Sequence, residues 1–182
     1  IIGDYNVNNA LSAMAVGRVF QIHPSMIQKS LTKFDLTKNR TQWLVGKAGE
    51  KILSDVYNSN PTAAKEVLTA FQETPTKGRR VAVLGDMLEL GSQSKQMHAS
   101  LASSIDPSQI AMVYLVGDDM AALYDRLKPV FAPENLHHYS ADQLDKLTAD
   151  LTAQLTADDE VMLKASHGLH LENVVDGLVK KE

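Results

Sequence analysis

The chain opens on two short runs in which apolar residues recur at helical spacing, and the pattern changes character after residue 40. Over residues 8–20, Leu11, Met14, Ala15 and Val19 fall on one helical face, with Gly17 as the weak point. His23-Pro24-Ser25 opens a second helix, since proline is tolerated in a first turn, and Met26, Ile27 and Leu31 make its apolar stripe. Two helices this short cannot bury both stripes against each other, so they are expected to pack on something further, within the chain or beyond it. Residues 35–40 read as a linker. Short apolar runs at 43–45 and 51–56 flank the turn 47–50, a hairpin signal. Beyond it, strands at 80–84, 111–116, 136–139 and 160–163 alternate with helices at 61–71, 94–104, 119–127, 141–155 and 169–180.

That rhythm predicts an α/β fold: a Rossmann-like, mostly parallel sheet with helices on both faces, preceded by a short helical segment. Val81-Ala82-Val83-Leu84 is apolar throughout, as a strand covered on both sides should be. In such folds ligands gather at the carboxyl ends of the strands. The loops at 55–61, 85–91 and 164–168 are therefore the candidates, and the topology predicts that they converge at one sheet edge.

Composition narrows the function without choosing it. The 182 residues suffice for one ordinary domain and a small appendage. A net charge of -4 provides no basic field for nucleic acid or an anionic membrane. The absence of cysteine excludes disulfides, thiolate metal sites and a cysteine nucleophile, and fits a reducing compartment. The histidines are scattered without metal-ligand spacing. No apolar run approaches the roughly 20 residues that span a bilayer, and no signal peptide is visible. The start at Ile1-Ile2-Gly3, without methionine, suggests a piece of a longer or trimmed protein.

Each candidate loop carries residues that could do chemistry and that also have a plainer reading. In Asp55-Val56-Tyr57-Asn58-Ser59-Asn60-Pro61, Asp55 could accept from a ribose or orient a cation, and Asn58 and Asn60 offer donors and acceptors. Asn60-Pro61 equally reads as a cap and first turn of a helix. In Gly85-Asp86-Met87-Leu88-Glu89-Leu90-Gly91, Gly85 permits close backbone approach, and Asp86 and Glu89 could receive an ammonium or amide, or could simply be solvated. In Lys164-Ala165-Ser166-His167-Gly168, the lysine and serine could bind a carboxylate, or the serine could cap a helix. Arg40 is either a surface residue or a phosphate contact. Asn6 and Asn9 either cap the first helix or, for Asn9, present an amide to an adenine edge. Neither G-x-x-x-x-G-K-[ST] nor G-x-G-x-x-G occurs, so spacing alone stops at an α/β domain of unassigned function.

Taken in order, Asn6-Val7-Asn8-Asn9-Ala10-Leu11-Ser12-Ala13, Leu36-Thr37-Lys38-Asn39-Arg40-Thr41, the Asp55–Pro61 segment and Val83-Leu84-Gly85-Asp86-Met87-Leu88-Glu89-Leu90-Gly91 resemble the Mur ligase family. Tyr-Asn-x-Asn-Pro and Leu-Gly-Asp-Met-x-Glu-Leu-Gly look like the member that adds D-Ala-D-Ala to UDP-N-acetylmuramoyl-tripeptide. The resemblance implies a cytoplasmic, monomeric ATP- and Mg2+-dependent ligase of peptidoglycan synthesis. Residues 1–36 would be the tail of its central ATP-binding domain and 37–182 its C-terminal domain. The phosphate loop would then lie upstream, and the fragment alone would not turn over. By the same resemblance Asn9 lies near adenine, Arg40 reaches ATP phosphates and Asp55 contacts the ribose. Asn58 and Asn60 would face the cleft, and Asp86, Glu89, Lys164 and Ser166 would border the amine substrate. Two positions depart from the family pattern: Tyr5 stands where histidine is usual, and Ala165, where glycine is usual, is expected to narrow backbone approach. The competing expectations are another amide ligase of this type, such as a folylpolyglutamate synthase, and a non-catalytic α/β binding module.

Overall fold

The computed structural model describes residues 3–33 and 38–180, so the predicted domain boundary at residues 36 and 37 lies outside the described residues. Helices α1 (Asp4–Val19) and α2 (Pro24–Leu31) form the expected pair. They meet where Gly17 makes room for Ile27: a Cβ on Gly17 would lie 2.9 Å from Ile27 Cδ1. His23 caps α2, its Nδ1 accepting from the Ser25 N–H at 3.3 Å. Leu11, Met14, Val19 and Met26 stay exposed, so the rest of the described chain does not cover the two stripes.

The α/β body follows as β1 (Gln42–Val45), β2 (Lys51–Asp55), α3 (Pro61–Glu73), β3 (Arg80–Gly85), α4 (Ser94–Ala99), β4 (Met112–Val116), α5 (Ala121–Leu127), β5 (Leu136–Tyr139), α6 (Leu144–Gln154), β6 (Glu160–Lys164) and α7 (Glu172–Leu178). Every strand predicted from the sequence is present. The sheet order is β1-β2-β6-β3-β4-β5; β1 is antiparallel to β2 and all other neighbours are parallel.

Alternation along the strands splits the core into two layers. Val81, Val83, Val161 and Leu163 point to the face covered by α6 and α7 through Leu147, Leu151, Val174 and Val175. Ala82, Leu84 and Met162 point to the other face, covered by Leu68 and Phe71 of α3 and Leu123 of α5. Burial on both faces is why these strands read as unbroken apolar runs. Helices α5, α6 and α7 start two or three residues later than the periodicity suggested, whereas α3 and α4 start where expected and α1 starts earlier. His170 is left-handed at φ 54°, which ends a 3-10 turn at His167–Leu169 and delays α7 to Glu172.

The order also places the site. The loop after β3 runs to α4 on one face of the sheet, and the loop after its neighbour β6 runs to α7 on the opposite face. Loops diverging from adjacent parallel strands open a crevice at their carboxyl ends. The loop after β2, on the other side of β6, joins them there.

Candidate functional site

The three loops singled out in the sequence lie side by side, because β2, β6 and β3 are neighbours. Lys164, the last residue of β6, is at their centre, buried with 2% of its side chain exposed. A buried ammonium must be paired. Its Nζ donates to Asp55 Oδ2 at 2.6 Å and to the Asn58 carbonyl at 3.0 Å. Among the described residues its third N–H group has no partner. Asp55, opposite it in register at the end of β2, is 7% exposed and also accepts from the Thr41 N–H at 3.1 Å.

That last bond ties in the segment carrying Arg40. Asn39 and Thr41, on either side of it, are left-handed at φ 62° and 48°. A β-branched residue there is strained, and the strain persists only because neighbours hold it. Asn39 Oδ1 accepts from Ser54 Oγ at 3.2 Å, and Asp55 fixes Thr41. The Arg40 guanidinium lies over the Tyr57 ring, Cζ 4.4 Å from its centroid. Tyr57 is stacked with His167 at 5.7 Å, and His167 meets His170 edge-on at 5.9 Å. His170 Nδ1 is 3.1 Å from Glu172 Oε1.

Asp86, first in the loop after β3, is turned inward. Its oxygens accept from the N–H groups of Met120 at 2.9 Å and Asp119 at 3.3 Å, at the start of α5. Gly117, left-handed at φ 108°, makes space for it: a Cβ there would come 2.3 Å from the Asp86 carboxyl carbon. Burial pushes the Asp86 carboxyl above the usual carboxylate range, against the two backbone N–H bonds. His98, fully buried on α4, accepts from the Met87 N–H with Nε2 at 2.8 Å, so its proton sits on Nδ1 toward the Ser94 carbonyl, also at 2.8 Å. Its Nε2 also lies 3.8 Å from Asp86 Oδ1. Ser166 stitches the crevice: its Oγ accepts from the Leu88 N–H at 2.9 Å and its N–H donates to the Asp86 carbonyl at 3.2 Å. Glu89 stands at the exposed loop tip in a left-handed conformation, φ 66°.

The methyl of Ala165 does not enter the crevice. It is fully buried against Gly85, where an added Cβ would lie 2.8 Å away, and so the narrowing expected at this position falls on the core side. Asn60 Oδ1 caps α3 by accepting from the Ala63 N–H at 2.9 Å, with no partner for its amide N–H groups among the described residues; Asn58 is exposed beside Lys164's bond to its carbonyl. Asn9 is exposed on α1. The sequence therefore singled out Asp55, Lys164, Asp86 and Ser166, which the fold brings together. It missed Tyr57, Thr41 and His98 as working parts. Tyr57 was visible inside its motif, whereas His98 carried no signal, being one histidine in a polar helix.

The family model described as Mur ligase, glutamate ligase domain, matches residues 39–167. The chain is similar to UDP-N-acetylmuramoyl-tripeptide--D-alanyl-D-alanine ligase of Bacillus subtilis (strain 168), 31% identical over 180 residues, covering 99% of this chain but 39% of that protein. It thus spans well under half the length of that relative. Among solved structures it is similar to MurF from Acinetobacter baumannii, with TM-score 0.78 and 25% identity over 96% of this chain and 37% of that one. It shares its fold with MurF ligase from Thermotoga maritima in complex with ADP, with TM-score 0.72 and 24% identity over 90% of this chain and 35% of that one.

Proposed function

The chain belongs to the Mur ligase family, and from that premise we propose that it is the C-terminal part of an ATP-dependent ligase adding D-Ala-D-Ala to UDP-N-acetylmuramoyl-tripeptide. The observation that supports this most is the meeting, at the carboxyl ends of β2, β6 and β3, of two loops whose sequences carry the family motifs with the loop that begins at buried Lys164. In this reading residues 1–36 end the central ATP-binding domain and residues 37–182 form the C-terminal domain.

The reaction activates the tripeptide's terminal carboxylate as an acyl phosphate. The amine of D-Ala-D-Ala attacks the carbonyl carbon and phosphate leaves as the amide forms. The contribution of this chain is binding and orientation, which convert a bimolecular step into a positioned one. Arg40 pairs with no described carboxylate, and its free N–H edge suits phosphate oxygens. Asp55 retains lone pairs for a ribose hydroxyl, and Asn9 offers an amide to adenine. The third N–H of Lys164, the hydroxyl proton of Ser166 and the side chains of Asn58 and Asn60 face the dipeptide. Asp86 borders the amine by fixing its loop, and Glu89 does so with a free carboxylate. Magnesium would neutralise phosphate charge. No group of three or more acidic, histidine or cysteine side chains that could hold it occurs among the described residues. We assign its ligands and the phosphate loop to the part of the enzyme outside this chain. No described helix is long and apolar enough to cross a membrane; a cytoplasmic, monomeric enzyme completes the reading.

The test is phosphate release by the full-length parent protein with ATP, magnesium and the UDP-linked tripeptide. D-Ala-D-Ala is compared with L-Ala-L-Ala, single amino acids and no amine. Release that depends on D-Ala-D-Ala is expected. Release with a different amine only would move the protein to a sister ligase, and none with any amine, from folded protein, would sink the ligase reading.

A further inference from the structure

Arg40 sits in a segment held more tightly than a linker arginine needs. Its two neighbours, Asn39 and Thr41, are both left-handed, an arrangement that costs free energy in residues with a Cβ. The cost is met by bonds reaching into β2: Ser54 to the Asn39 side chain, and Thr41 to the buried Asp55 that Lys164 neutralises. The side chain is fixed separately, over an aromatic ring. The guanidinium lies 4.4 Å from the Tyr57 centroid, within the range of a cation–π contact, and the Tyr57 ring is itself stacked with His167 of the loop after β6. A guanidinium held over a ring, with no carboxylate among the described residues paired to it, keeps N–H donors for a ligand.

We propose that Tyr57, stacked with His167, is a positioning residue that holds the Arg40 guanidinium ready for phosphate. The inference rests on the ligase reading for its substrate, but the anchor itself does not depend on it. The contact with the ring uses no hydrogen bond to a carboxylate, so binding phosphate need not break it. It also replaces part of the rotamer freedom that an exposed arginine would lose on binding. A lysine at position 40 would lack the planar face and the forked donors together.

Two measurements test this. In NMR spectra of the chain, the Arg40 side-chain protons should be shifted upfield by the Tyr57 ring. The shift should persist in Tyr57→Phe and vanish in Tyr57→Leu; random-coil shifts in the unsubstituted chain would overturn the anchor. In the full-length parent enzyme, Tyr57→Leu should raise KM for ATP about two- to fivefold, the range of an exposed cation–π contact, while Tyr57→Phe stays near the parent value. Tyr57→Leu should add nothing once Arg40 is alanine, because the ring acts through the guanidinium. An undiminished effect in the Arg40→Ala background, or equal effects of Phe and Leu, would overturn the positioning role. Because Tyr57 is half-exposed, the unfolding midpoint should not move, which separates lost positioning from lost folding. A parent enzyme releasing no phosphate with any amine sinks the ligase reading, and the NMR result then decides the anchor alone.

Discussion

Asp86 and Asp159 are buried alike, at 8% and 2% exposure, yet their carboxyls move in opposite directions. Asp86 receives only two backbone N–H groups, and burial wins, raising it. Burial also pushes Asp159 upward, but the Arg79 guanidinium at 2.7 Å and bonds from the Arg79 and Thr156 backbone more than offset this, holding it at about 2. The sign follows from linkage. A carboxyl lowered from 3.8 to about 2 stabilises the fold above its ordinary value, and that contribution is lost as pH falls through the lowered one. Asp86, being raised, acts in the other sense: the folded chain takes up its proton more readily, and its ionised form weighs against folding at neutral pH. Asp159→Asn should therefore cost about 2 kcal/mol in urea unfolding at neutral pH. The difference from the unsubstituted chain should shrink as the pH falls below about 4, and Asp86→Asn should cost less at neutral pH. A difference for Asp159→Asn that stays constant down to acid pH would mean that packing, not charge, is what the substitution removed.

At the scale of the elements, the strands were legible because burial on both faces forces unbroken apolar runs, and the capped helix α3 because Asn60-Pro61 states its start chemically. The convergence of the three loops followed from the alternation of strands and helices and from nothing more local. What escaped depends on long-range partners. Asn39 and Thr41 adopt left-handed backbone without glycine, under bonds to residues 15 and 14 positions away, and no local pattern announces that. His98 is spent on the Met87 N–H across a loop. The exchange between Gly85 and Ala165 is equally invisible one strand at a time: β3 ends on a glycine because β6 ends beside a methyl group. This makes a reciprocal prediction. Gly85→Ala should destabilise by roughly 1–3 kcal/mol through overpacking, since its Cβ would meet Ala165 at 2.8 Å and Leu171 at 3.3 Å. Adding Ala165→Gly should recover much of the loss. If the double substitution is no more stable than Gly85→Ala alone in urea unfolding, the two positions are not sharing one volume.

The whole molecule divides by how its apolar surface is used. The α/β body buries its strands completely, whereas α1 and α2 bury little beyond Ile27 and leave Val19 78% and Phe20 75% exposed, together with Leu11, Val16 and Met26. Covering a large apolar side chain is worth roughly 1.5–3 kcal/mol, so these helices gain little from the contacts they make here. So many exposed large apolar side chains on two short helices mark a contact or a liability to associate. In the proposed reading the cover is the rest of the central domain, with which residues 1–36 would belong. Deleting residues 1–33 should leave the thermal midpoint of the body unchanged, because its two core layers contain none of the removed side chains. The same deletion should lower the binding of a dye that reports exposed apolar surface and reduce concentration-dependent association. A midpoint several degrees lower after deletion would show that the helical pair stabilises the body directly, and the assignment of those residues to a separate domain would then have to be abandoned.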